Sequence, residues 1–223
     1  MDLSIIFILL TALGLGLAHS LDPDHVVAVS ALLCNNKSLR KSITSATVWG
    51  FGHSAVLFVI GLLVLTLSVV IPQSVLKLFD CAAGILLIIL GTIIVRPLIT
   101  ERISPRQVTS PGHTHSHSHS SDSDHGQSHL HKSVLTGALQ GLGGSAALML
   151  VTLSTVNSVG IGLVFICLFG AGVILGMVGV ACLVGSVIAY TASNLEKVHK
   201  IIKALTGSVS IVFGIIIIIY ALL

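Results

Sequence analysis

Two imidazoles and two carboxylates fall within one short run, His19-Ser20-Leu21-Asp22-Pro23-Asp24-His25, inside an otherwise apolar stretch. A third imidazole, His53, follows in Gly50-Phe51-Gly52-His53-Ser54, inside the next apolar stretch. Ionisable groups at membrane depth are costly, so by default they mark an ion or substrate path. Imidazole nitrogen suits borderline dications such as nickel, cobalt, copper and zinc, whereas all-oxygen cages suit magnesium and calcium. His19, Asp22, Asp24, His25 and His53 are therefore the candidate metal ligands. Asp24 has two available roles: to ligate, or to hold a histidine by its second ring nitrogen. A buried hydrogen-bond network and a metal-free proton path are the other chemistries these residues could serve.

The positions must be brought together by the backbone. His19 and His25 are six residues apart, a spacing a continuous helix does not align. Pro23 removes a backbone donor and disfavours helix at Asp22, so the first apolar segment is expected to break near Leu21 to Pro23. Broken helices are tolerated at membrane depth where they line a cavity or are buried in protein. His53 lies about 12 residues from one end of its segment, roughly 18 Å deep, and His25 sits at a comparable depth. Gly50 and Gly52 are expected to let the second span approach the broken helix closely.

Of the 223 residues, 54% are hydrophobic and 9% are charged, where a soluble domain has about 25% charged. The chain reads as an all-α integral membrane protein. Six segments, near 3–34, 42–71, 74–97, 133–157, 160–191 and 198–222, approach or exceed the roughly 20 helical residues that span hydrocarbon. They divide the chain into spans 1–3 with the metal motif (1–99), a polar His-rich loop (100–132) and spans 4–6 (133–223). Every lysine and arginine except Lys77 falls on the side of the loops that follow spans 1, 3 and 5. The positive-inside rule makes that side cytoplasmic and puts both termini outside. Met1-Asp2 is acidic rather than basic, so the apolar start is expected to be a span and not a cleaved signal.

The halves echo one another. Gly84 to Gly91 is matched by Gly207 to Gly214, Phe51-Gly52 by Phe169-Gly170, and Leu17 to Ser20 by Leu142 to Ser145. Three spans per half make these inverted repeats, an arrangement that places a transporter's site at the midplane.

The loop carries His113, His115, His117, His119, His125, His129 and His131 among Ser, Thr, Gly and Pro. Such composition predicts disorder when empty and divalent-metal binding as an accessory function. The four cysteines form no C-x-x-C pair and read as small buried apolar residues. Neither a Walker A sequence nor His-Glu-x-x-His is present, so no ATPase or zinc-protease activity is expected and the chain is read as a non-enzyme with no resident cofactor.

His19-x4-Asp24-His25, then Gly52-His53-Ser54 in the next span, resembles the nickel/cobalt transporter superfamily. The stretch from Gly16 to Gly61, above all Leu21 to Ser30 and Trp49 to Ser54, is most similar to its compact six-span members of the urease-accessory UreH type. The resemblance implies metal selection and transport by His19, Asp24, His25 and His53. It implies a secondary transporter of Ni(II), with Co(II) as a second substrate, in the cytoplasmic membrane. Import is favoured; a proton-coupled exporter with a His-rich cytoplasmic loop is the alternative. The expected partners are the lipid bilayer and a transition-metal dication, with a cytoplasmic metal-acceptor protein and a second copy as further candidates and nucleic acid excluded. The acidic motif of the longer permeases is missing from span 4, which reads Gln140-Gly141-Leu142-Gly143-Gly144-Ser145.

Overall fold

A computed structural model describes residues 3–36, 38–67, 72–103, 124–141, 143 and 158–223. Among the described residues the chain is wholly helical, with α1 Leu3–His19, α2 Pro23–Leu33, α3 Leu39–Leu67, α4 Gln73–Ile103, α5 Asp124–Gly141, α6 Val159–Asn194 and α7 Glu196–Leu222. Four helices, α3, α4, α6 and α7, are long and apolar enough to cross a membrane, and α1 with α2 counts as a fifth span if the bent pair is one crossing. The expected fourth span, 133–157, contributes α5 up to Gly141, and most of its remainder lies outside the described residues. Helix also runs into both ends of the stretch read as loop: α4 continues to Ile103 and α5 starts at Asp124, so 124–132 is helical. His113, His115, His117 and His119 lie outside the described residues, while His125, His129 and His131 fall on the first turns of α5.

The break comes where Pro23 requires it. α1 ends at His19, α2 begins with Pro23 at its first position, and the two axes differ by 58°. Proline is well placed there, because the amide it lacks would have no helical partner. The intervening backbone satisfies itself in tight turns: Leu21 N–H donates to Ala18 C=O and Asp22 N–H to His19 C=O, each at 3.0 Å, and His25 N–H donates to Asp22 C=O at 3.0 Å. A bend built this way leaves those amides paired in an apolar medium.

Small residues set how closely the helices cross. A side chain at Gly16 would collide with the Phe169 carbonyl, and one at Gly172 with the Leu13 carbonyl, so α1 lies directly on the α6 backbone. The same holds for α5 on α3, where Gly137 meets the Trp49 carbonyl and Gly52 the Val134 carbonyl. Gly50 packs on Ile174 and Gly170 on Ser54, joining α3 to α6. Gly50 and Gly52 thus serve contacts with α6 and α5, not the approach to the broken helix that their position suggests. Between α4 and α7, Gly84 faces Gly214 and Gly91 faces Gly207, and Ser210 Oγ donates to Leu87 C=O at 2.7 Å. The core gathers Trp49, Phe165, Leu33, Leu57 and Met177, while Phe7, Leu183 and Leu222 stand exposed as expected of lipid-facing positions. Of the cysteines, Cys34 is buried as its composition suggests, but Cys167 is exposed on α6.

Because Gly172 abuts backbone and Gly179 has open space around it, Gly172→Val should destabilise the fold by about 1–3 kcal/mol. Gly179→Val should cost far less. Thermal unfolding in detergent measures both, and equal melting temperatures for the two variants would contradict this packing.

Candidate metal centre

The bend, α2 and α3 converge on one point. His19 ends α1, His25 lies in the first turn of α2, and His53 is mid-way along α3. All three are buried, with His53 fully enclosed. Their ring centroids are 4.5 Å (His19–His25), 5.0 Å (His25–His53) and 5.5 Å (His19–His53) apart. One ring nitrogen from each lies within 4.8 Å of the other two. Around a dication with metal–nitrogen bonds of about 2.1 Å, ligand nitrogens stand up to roughly 4.2 Å apart, so small ring rotations close the set.

The two motif carboxylates each take one imidazole. Asp22 Oδ2 is 2.7 Å from His19 Nδ1, and Asp24 Oδ1 is 2.9 Å from His25 Nδ1. A carboxylate at Nδ1 fixes the ring orientation and favours the tautomer with its lone pair on Nε2, the arrangement found around metal-ligating histidines. The Nε2 atoms of His19 and His25, and both ring nitrogens of His53, are buried without a hydrogen-bond partner. Buried polar nitrogens are ordinarily paired. Four orphaned ring nitrogens in one cluster are the strongest chemical feature of the molecule. Asp22, Asp24 and His25 form a second, more exposed group whose ligand atoms also lie within 4.8 Å of one another.

Aromatic rings and one amide hold the imidazoles in place. Trp49, one turn before His53 on α3, stacks on it at 5.1 Å with 19° between planes and meets His25 edge-on at 5.3 Å. Phe169 of α6 stacks on His19 at 5.5 Å. Gln140 of α5, nearly fully buried, accepts from Trp49 Nε1 at 3.1 Å and donates through Nε2 to the Asp24 carbonyl at 3.2 Å. Gln140 therefore ties the second half of the chain to both α2 and the wall of the imidazole cluster. A cavity of about 570 Å³ opens beside the cluster, lined by His19, Asp22, Asp24 and His25 and by Lys77 and Asp80 of α4.

All five motif residues meet at this one locus. The positioning roles of Trp49, Gln140 and Phe169 are what the sequence left unassigned. Gln140, an uncharged polar residue in an apolar segment, is the signal that could have pointed to them.

The urease accessory protein UreH of Bacillus sp. (strain TB-90) is 32% identical to this chain over 216 residues, covering 96% of the chain and 91% of that relative. The chain belongs to the UreH family. No family model matches it, and no solved structure matches it. Identity across nearly the whole length extends the UreH relationship well past the Gly16 to Gly61 stretch that carries the motif resemblance.

In this UreH-family chain Gln140→Leu removes both hydrogen bonds at once and leaves the Trp49 N–H buried and unpaired, a loss of about 1–3 kcal/mol. The expected outcome is a lower melting temperature together with altered emission from Trp49, the chain's single tryptophan. An unchanged emission spectrum would show that Gln140 does not fix the ring.

Proposed function

We propose that this chain is a secondary transporter that carries Ni(II), with Co(II) as a second substrate, inward across the cytoplasmic membrane. The observation that carries the reading is the cluster of orphaned imidazole nitrogens on His19, His25 and His53, buried inside apolar helices. His19, His25 and His53 hold the ion; Asp22 and Asp24 orient two of the rings and neutralise part of its charge. The relative's designation as a urease accessory protein accords with nickel as the cargo. No enzymatic step is needed. An inward dication gains about 4.6 kcal/mol per 100 mV of inside-negative potential, twice the single-charge value, so uptake requires no coupling ion.

The proposed architecture is six spans in two inverted halves, with both termini outside and the His-rich loop in the cytoplasm. Reciprocal contacts support it. Gly50 meets Ile174 four residues beyond Gly170, and Gly170 meets Ser54 four residues beyond Gly50. Gly84 meets Gly214 and Ile218; Gly207 meets Gly91 and Val95. Leu13 and Gly16 engage Gly172 and Phe169 as Val134 and Gly137 engage Gly52 and Trp49. This register corrects two pairings suggested by the sequence, shifting Phe169 from Phe51 to Trp49 and moving the Leu17–Leu142 match by four residues, so that Gln140 corresponds to His19 and the second half offers a hydrogen-bonding amide where the first offers a ligand. The His-rich loop serves as a cytoplasmic metal buffer. It is also the feature that favours the reverse direction, a proton-coupled exporter.

Radioactive nickel flux in proteoliposomes tests the reading. Wild type should take up nickel under an inside-negative potential. His19→Ala, His25→Ala and Asp24→Ala should abolish uptake with the protein still inserted, His53→Ala should weaken affinity or change metal preference, and deletion of residues 110–131 should leave most uptake intact. Flux driven only by a proton gradient would establish export instead, and no flux under either gradient would refute nickel transport.

A further inference from the structure

The cavity beside the imidazole cluster has a second set of ligating groups on its walls. Asp22 and Asp24 come from the bend and the start of α2, and Asp80 from α4. Lys77 is the one ammonium on that wall among the described residues. Three of the chain's eight acidic residues thus converge on a single space. They are less enclosed than the imidazoles: the side chains of Asp22 and Asp24 are 45% and 30% exposed, and Asp80 is half-buried. Two buried, unpartnered nitrogens, His19 Nε2 and His25 Nε2, belong to residues that line the same cavity. His25 is shared between the all-imidazole group and the Asp22–Asp24–His25 group.

The space is large enough for an ion that has kept its water. A six-water shell occupies roughly 200 Å³ at about 30 Å³ per water, and the cavity has about 570 Å³. Carboxylate oxygens suit a hydrated hard cation, whereas imidazole nitrogens reward a borderline metal that gives up water. Each carboxylate that holds an imidazole with one oxygen retains a second oxygen with acceptor capacity.

We propose that Asp80, together with Asp22 and Asp24, forms a capture station for a hydrated divalent cation in this cavity, and that His25 passes borderline metals from it to the buried imidazoles. The handover deepens the transport reading and rests on it; the station itself is a binding site that exists whether or not nickel is carried. Magnesium and calcium occupy the station but gain nothing from the imidazoles beyond it, so the two stations in series discriminate against the abundant hard dications. Asp80 acts at the first and not at the second. Lys77 opposes it by placing a positive charge on the same wall.

Manganese(II), a dication with oxygen preference, is the probe. Its binding to the full-length chain in nanodiscs is followed by electron paramagnetic resonance, with magnesium as competitor. Wild type should bind manganese competitively with magnesium. Asp80→Asn should weaken binding about ten-fold, as expected for one partly buried carboxylate facing a dication. Asp80→Glu should restore most of the affinity. Lys77→Gln should tighten binding about three-fold by removing the opposing charge, a gain that misfolding cannot mimic. Wild-type affinity in Asp80→Asn would overturn the proposal, and so would wild-type affinity in Lys77→Gln. Failure of nickel flux in wild type would overturn the transport reading while leaving the manganese result to decide the station.

Discussion

Burying imidazole nitrogen without a hydrogen-bond partner costs free energy, and this chain does so at His19, His25 and His53 in one place. The rest of the structure is arranged around that cost. The helix is interrupted so that two of the rings meet edge to face, the interruption is closed by its own backbone turns, and two carboxylates from the same seven-residue run occupy the outer nitrogens. Occupying Nδ1 of His19 and His25 while leaving their Nε2 atoms and both nitrogens of His53 bare produces a pocket that is incomplete as a hydrogen-bond network and lined with the donor atoms a borderline dication takes.

Such a pocket needs walls that do not shift. Trp49 and Phe169 supply flat faces against His53 and His19, and Gln140 locks Trp49 to the α2 backbone. The glycines at Gly16, Gly52, Gly137 and Gly172 bring α1, α3, α5 and α6 to backbone contact, which is how helices associate where the surrounding lipid is as apolar as the helices themselves. Close crossing leaves little room for the rings to drift. The side toward α4 is different: there the packing opens into a cavity of about 570 Å³ that reaches His19 and His25, with Asp22, Asp24 and Asp80 on its walls beside the apolar side chains of α7.

Much of this was legible in the residues. Pro23 dictated the break because proline has no amide to donate, and the pattern of histidine and aspartate around it named the groups that converge at the bend before any distance was known. The helical class followed from the apolar runs, four of which stand as helices long enough to span. Other features depend on tertiary contact and were not readable. Gly50 and Gly52 announce close packing, but nothing in their spacing says that the partners are α6 and α5. Gln140 and Trp49 are distant in sequence, and their hydrogen bond exists only because α5 crosses α3. The start of α5 within a polar, His-rich stretch is likewise local helix that composition argued against.

Trp49 stacks on His53 and is the chain's only tryptophan, so its fluorescence reports directly on the imidazole cluster. Titrating nickel into the full-length chain in nanodiscs while following that emission tests the central claim that the three imidazoles form the metal site. Saturable quenching is expected in wild type and its loss in His25→Ala, with the His-rich loop present in both. Quenching of equal amplitude and midpoint in the two proteins, or bound nickel with no quenching in wild type, would contradict it.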